Sequence, residues 1–168
     1  MIMHTKKNQP NRSRYYNEIK KAMNTANDLY NKLVLVVGKN GSGKTAALKD
    51  VAKDEDIEII NVNLLLSSEL LELSTKDRRL QVAKLLGNII EKDSSCLFLD
   101  NTEILFDKDL KQDPLRLLKN LSRNRLIVAS WNGEKIGNKL LYAEVNHPEY
   151  QSYELKDECV VAMEQLDT

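Results

Sequence analysis

A three-layer α/β fold, with helices on both faces of a mainly parallel sheet, is the class this sequence predicts. Three observations predict it. Short apolar, β-branched runs alternate with longer helix-forming stretches. The runs at 33–37, 96–99 and 126–129 contain no charged residue, as strands buried on both faces require. Between the first run and the helix-forming Ala46-Ala47-Leu48-Lys49 lies Gly38-Lys39-Asn40-Gly41-Ser42-Gly43-Lys44-Thr45. This is G-x-x-x-x-G-K-T in a strand–loop–helix setting, the phosphate-binding loop (P-loop) of nucleoside triphosphate enzymes.

The elements follow in order. Residues 13–31 predict a helix, because Tyr15, Ile19, Ala22, Met23, Ala26, Leu29 and Tyr30 recur at three- and four-residue steps. The strand at 33–37 leads into the loop and a helix over 44–53. Ile57 to Leu64 reads as a second strand, rich in Ile and Val. A short helix over 68–73 follows, then one capped by Ser74 and running to Lys92. Its apolar face has Leu80, Ala83, Leu86 and Ile90 along one edge, broadened by Val82, Leu85 and Ile89. Cys96 to Asp100 is an apolar strand ending in an acid. Asp113 is a natural N-cap and Pro114 a natural first residue for a helix over 114–122. Leu126 to Ser130 is the next strand, closed by Trp131-Asn132-Gly133, where Asn-Gly favours a turn. Val160 to Met163 reads as a last strand.

The chemistry of the loop explains its spacing. Gly41 and Gly43 let the backbone curl so that several N–H groups face one anion. The helix starting near Lys44 adds its positive dipole end. Lys44 is expected to reach the β- and γ-phosphates, and the Thr45 hydroxyl to ligate Mg²⁺. The whole run Gly38–Thr45, with Ala46, is the candidate ATP-binding segment. Ligands of parallel sheets sit beyond the carboxyl ends of the strands, so residues there carry the remaining candidates. Asp100 is placed to hold Mg²⁺ through water. The next position, where ATPases with an extra strand between the two motifs carry a water-polarising glutamate, holds Asn101; Glu103 is the substitute base. Ser130 and Asn132 are candidate γ-phosphate sensors. Arg123 and Arg125 are candidate arginine fingers, a role that would require a homo-oligomer. Together these describe a three-layer αβα P-loop NTPase core of minimal AAA+/ASCE-like type, preceded by one helix.

The 168 residues suit a single domain, with a core at 33–153 and a basic N-terminus at 1–12. Hydrophobic content of 42% and charged content of 30% are ordinary for a globular chain. Net charge is zero, which gives no general case for DNA as a partner. Residues 1–21 nevertheless carry Lys6, Lys7, Arg12, Arg14, Lys20 and Lys21 against Glu18. A solvated tail is the favoured reading of this segment over a DNA-contacting arm. Two cysteines and two histidines form no metal or disulfide pattern. No membrane span or signal core is visible, so a reduced, cytoplasmic setting is expected.

Several later stretches resemble BrxF, the family of small P-loop proteins in type 3 BREX bacteriophage-defence systems. These are Asn61-Val62-Asn63-Leu64, Leu105-Phe106-Asp107, Lys111 to Leu118, Leu121 to Arg125, Trp131-Asn132-Gly133-Glu134, Tyr142-Ala143-Glu144 and His147-Pro148-Glu149-Tyr150. The resemblance spans roughly residues 33–153. It implies an ATP-binding defence component whose partners include a large ATPase, a methyltransferase and a phosphatase-like protein. Two other readings stand beside it: a nucleotide-sensing module that does not hydrolyse, favoured by Asn101, and a small-molecule kinase, disfavoured by the lack of an arginine-rich lid. A GTPase is disfavoured too. The Asn-Lys pairs at 31–32 and 138–139 are followed two residues later by Val34 and Leu141, not by a guanine-reading aspartate.

Overall fold

Parallel pairing organises the molecule. The computed structural model describes residues 14–90 and 95–164, without the side chains at 89 and 90. The basic segment 1–12, the helix end near Lys92 and the apolar positions Ile89 and Ile90 lie outside that description. Five strands run parallel in the order β2-β3-β4-β1-β7. They are β1 (Leu33–Gly38), β2 (Ile59–Asn61), β3 (Cys96–Asp100), β4 (Leu126–Ile136) and β7 (Cys159–Ala162). Strand β4 is central: Leu33 to Gly38 pair with Ile127 to Asn132 on one side, and Cys96 to Leu99 with Leu126 to Ala129 on the other.

Side-chain alternation along these strands divides the core in two. Leu33, Leu35, Val37, Leu97, Leu99, Ile127 and Ala129 face helices α3 (Val62–Leu70), α4 (Thr75–Ile90) and α5 (Pro114–Leu121). Val34, Val36, Phe98 and Val128 face α1 (Tyr16–Ala26) and α2 (Lys44–Glu55). Every side chain of β1 is buried, which is why the run carries no charge. Helices on two faces of a parallel sheet make the predicted three-layer fold.

Four expectations are corrected. The N-terminal helix ends at Ala26 rather than Asn31, and Tyr30 is 73% exposed. Strand β2 has three residues only, because the Asn61 side chain accepts a hydrogen bond from the Leu64 amide and starts α3 there. The Val62–Leu64 stretch is therefore helical, and α3 replaces the expected helix at 68–73. In α4, Ser74 caps as expected by accepting from the Asp77 amide, but the buried line is Val82 and Leu86; Leu80 and Ala83 face outward. Finally, Trp131-Asn132-Gly133 is no strand end. Strand β4 continues to Ile136 and folds back on β5 (Lys139–Tyr142), which pairs antiparallel with β6 (Gln151–Glu154). The Gly137-Asn138 turn makes this hairpin, with Gly137 at φ +57°.

Two short 3-10 turns, Thr102–Phe106 and Lys108–Leu110, join β3 to α5. The cap of α5 is as read: the Asp113 carboxylate accepts from the Arg116 amide, with Pro114 in the first turn.

Candidate functional site

The carboxyl ends of β1, β3 and β4 open onto a cleft of about 490 Å³. Its floor is the glycine loop. Gly41 at φ +84° and Gly43 at φ +97° adopt the left-handed conformation that only glycine takes at little cost. Gly43 caps α2, whose N-terminal amides and dipole point into the cleft. Lys44, the first residue of α2, is 8% exposed. Its ammonium donates to the carbonyl oxygens of Gly38 at 2.9 Å and Lys39 at 3.0 Å, so the side chain arches over the loop. Burial lowers the Lys44 pKa, while Glu103 and Asp100 push it the other way.

The Thr45 hydroxyl donates to the Asp100 carboxylate at 2.7 Å. This bond joins the first turn of α2 to the end of β3 across 55 positions of chain. The two oxygens suit a hard cation such as Mg²⁺, which keeps several waters and takes only one or two protein groups. Within the loop, the buried Ser42 hydroxyl has no hydrogen-bond partner among the described residues.

The other candidates separate. Asn132, where the pairing of β4 with β1 ends, lines the cleft and donates to the Glu103 carboxylate at 2.6 Å. Glu103 lines the cleft as well. Ser130 is buried within β4 and does not line it; its carbonyl accepts from the Thr102 hydroxyl at 2.6 Å. Arg123 and Arg125 precede the amino end of β4, so they stand at the edge of the sheet opposite the cleft. The Arg123 guanidinium lies over the Tyr30 ring at 5.5 Å. Neither belongs to the chain's own cleft.

Three features escaped the sequence reading. Lys49 lines the cleft one helical turn beyond Thr45, a four-residue spacing that the sequence did contain. Lys39 pairs with Glu134 at 2.7 Å, and that hydrogen bond and charge raise its pKa. A second cavity of about 840 Å³ adjoins the first through Asn40, Glu103 and Asn132. Its far wall comes from Tyr142 at the end of β5 and from Glu144, His147 and Glu149 in the loop between β5 and β6.

A glycine loop at a helix start, a buried lysine and a threonine–aspartate pair on a parallel sheet define a P-loop nucleotide-binding domain. The profile of the AAA family (ATPase family associated with various cellular activities) matches residues 34–141. The chain belongs to that family. Among curated proteins, none matches it by sequence. One similar solved structure is the replication initiator DnaA bound to AMPPCP and single-stranded DNA. It has 19% identity and a TM-score of 0.50, over 90% of this chain and 46% of that one. Another is PCH-2 of C. elegans, at 20% identity and a TM-score of 0.42, over 73% and 37%. AMPPCP-bound DnaA from Aquifex aeolicus stands at 21% and 0.34, over 68% and 36%. The chain thus spans less than half the length of each of these structures. Among its described residues, no helix is long and apolar enough to cross a membrane.

Proposed function

We propose that this chain binds ATP with Mg²⁺ and hydrolyses it to ADP and phosphate, as a component of a bacterial BREX defence system that regulates its partners. The observation that carries the nucleotide reading is the Thr45–Asp100 hydrogen bond beside the arched Lys44. Thr45 and Asp100 would hold the cation, Asp100 through water, and Lys44 would move from the loop carbonyls to the phosphates. Magnesium held there would supply positive charge to offset the charge on the phosphate oxygens. Glu103 lies in the cleft and is the carboxylate available to orient an attacking water. Asn132 holds that carboxylate and can sense the γ-phosphate. Adenine is favoured over guanine because no aspartate follows either Asn-Lys pair. The bound ATP analogue in the similar DnaA structure fits the same reading. The defence role rests on the BrxF-like stretches between 61 and 150, and its partners would include a large ATPase.

Titration calorimetry with ATP–Mg²⁺ and a phosphate-release assay test this. Wild type should bind and turn over, and Lys44→Ala should lose at least about tenfold in affinity, the scale of a charge-assisted phosphate contact. Wild-type protein that ignores ATP–Mg²⁺ sinks the proposal. A second reading, binding without hydrolysis, is favoured by Asn101, whose amide cannot take a proton from water. Tight binding with no phosphate release, alone or with partners, selects it. A nucleotide-dependent oligomer in light scattering would reopen the trans role of Arg123 and Arg125.

A further inference from the structure

Asn101 stands where a water-polarising glutamate would, and a carboxylate, Glu103, follows two residues later. Asn101 adopts φ +55°, ψ +53°, a left-handed conformation that Asn tolerates better than most residues. This ends β3 and starts the 3-10 turn Thr102–Phe106. The Asn101 carbonyl accepts from the Asn63 amide at 3.0 Å, which ties the reversal to the start of α3.

The next two residues both land on β4. The β3–β4 ladder ends at Leu99 and Ala129. One position further along β4, the Ser130 carbonyl accepts from Thr102, which is 1% exposed, at 2.6 Å. Two positions beyond that, Asn132 donates to Glu103 at 2.6 Å. Neighbours on the turn thus grip alternate residues of one strand. Phe106 anchors the far end of the turn. Its ring stacks on Tyr142 with centroids 3.4 Å apart and meets Trp131 edge-on at 4.9 Å.

We propose that the buried Thr102 hydroxyl is a positioning group: by holding the Ser130 carbonyl it sets the turn so that Glu103 faces the cleft and acts from position 103 as the water-orienting carboxylate. This rests on the hydrolysis reading above. A carboxylate two residues along from Asn101 has no fixed direction unless its turn is fixed. The Thr102 bond supplies the first fixed point and Asn132 the second. Misplacement of a reacting group by about 1 Å costs on the order of a hundredfold in rate.

The test compares Thr102→Val, which keeps the shape and loses the donor, with Thr102→Ser, which keeps the donor. ATP–Mg²⁺ affinity is measured by calorimetry and kcat by phosphate release. Thr102→Val should lower kcat by about tenfold or more while the dissociation constant stays within about twofold of wild type. Thr102→Ser should return kcat to within about threefold. Three results overturn the proposal: unchanged kcat in Thr102→Val, affinity falling in step with kcat, or no rescue by serine. In each the wild type still turns over, so the hydrolysis reading survives. Wild type that binds without turnover overturns both together.

Discussion

Lys44, Thr45 and Asp100 line one cleft, and that placement was legible because it depends on short-range spacing: a loop of fixed length, the residue after it, and the acid at the end of an apolar run. Arg123 and Arg125 lie outside that cleft, and the reason is directional. A parallel sheet gathers its ligands at the carboxyl ends of its strands. Both arginines precede β4, so the same rule that selected Asp100 takes them to the other edge. Glu103 was a candidate from its nearness to Asp100 alone; its place in the cleft depends on a left-handed turn at Asn101, which composition does not reveal. The cysteines also act at the residue scale. Burial pushes the Cys96 thiol up to about 11 and raises Cys159 as well. The thiolate is the reactive form, although a more basic thiolate is intrinsically a better nucleophile. Alkylation of Cys96 by iodoacetamide at pH 8 should therefore run about tenfold slower in the folded protein than in denaturant, followed by mass spectrometry.

Among the elements, apolar runs of even polarity were read well. Strands β1 and β3 and helix α5 stand where pattern and capping put them. The errors fall where a side chain competes with a pattern. Asn61 ends a promising strand by capping α3, so Leu64, 66% exposed, belongs to a helix surface rather than a sheet. Asn132-Gly133 favours a turn by sequence, yet Gly133 lies inside β4. A Cβ at 133 would overlap the backbone carbonyl of Leu141 on the paired strand β5. Glycine is required there for close approach, not for bending. Gly133→Ala should destabilise the β4–β5 pairing by about 1–3 kcal/mol, the usual cost of forced overlap in a packed region. Chemical denaturation measures it, and a variant as stable as wild type would contradict the role. The strands at 139–142 and 151–154 have four residues each, too short for a clear alternating pattern.

At the scale of the whole molecule, β7 closes the sheet beside β1 although it follows the hairpin by only a few residues. Glu158, just before β7, pairs with Lys119 on α5 and has a side chain only 3% exposed. Burial pushes its pKa up. The hydrogen bond from Lys119, those from the amides of Lys156 and Glu158, and the Lys119 charge outweigh that, so the net shift is downward from 4.5. A depressed carboxyl pKa contributes stability above its ordinary value and loses it as pH falls through the lowered one. Wild type should therefore lose stability below about pH 4.5, through the range where Glu158 takes up its proton. Glu158→Gln should be less stable at neutral pH by about 1–3 kcal/mol, the range for hydrogen bonds to charged groups. The gap between the two should close in acid, as denaturation at pH 7 and pH 3 would show. An unchanged gap at both values would place the pair among surface contacts of little consequence.

The aromatic packing behind the 3-10 turn has an optical consequence. Trp131 is the chain's sole tryptophan and is fully buried. It packs edge-on to Phe106, Tyr142 and Tyr153, and its ring nitrogen donates to the Leu141 carbonyl at 3.0 Å. It is also the residue immediately before Asn132. Tryptophan fluorescence from this chain therefore comes from one indole, placed between the nucleotide cleft and the hairpin, with no second indole to dilute it. Any ligand that shifts the turn carrying Glu103 must move Phe106 against that ring, and the emission spectrum will register it without a label.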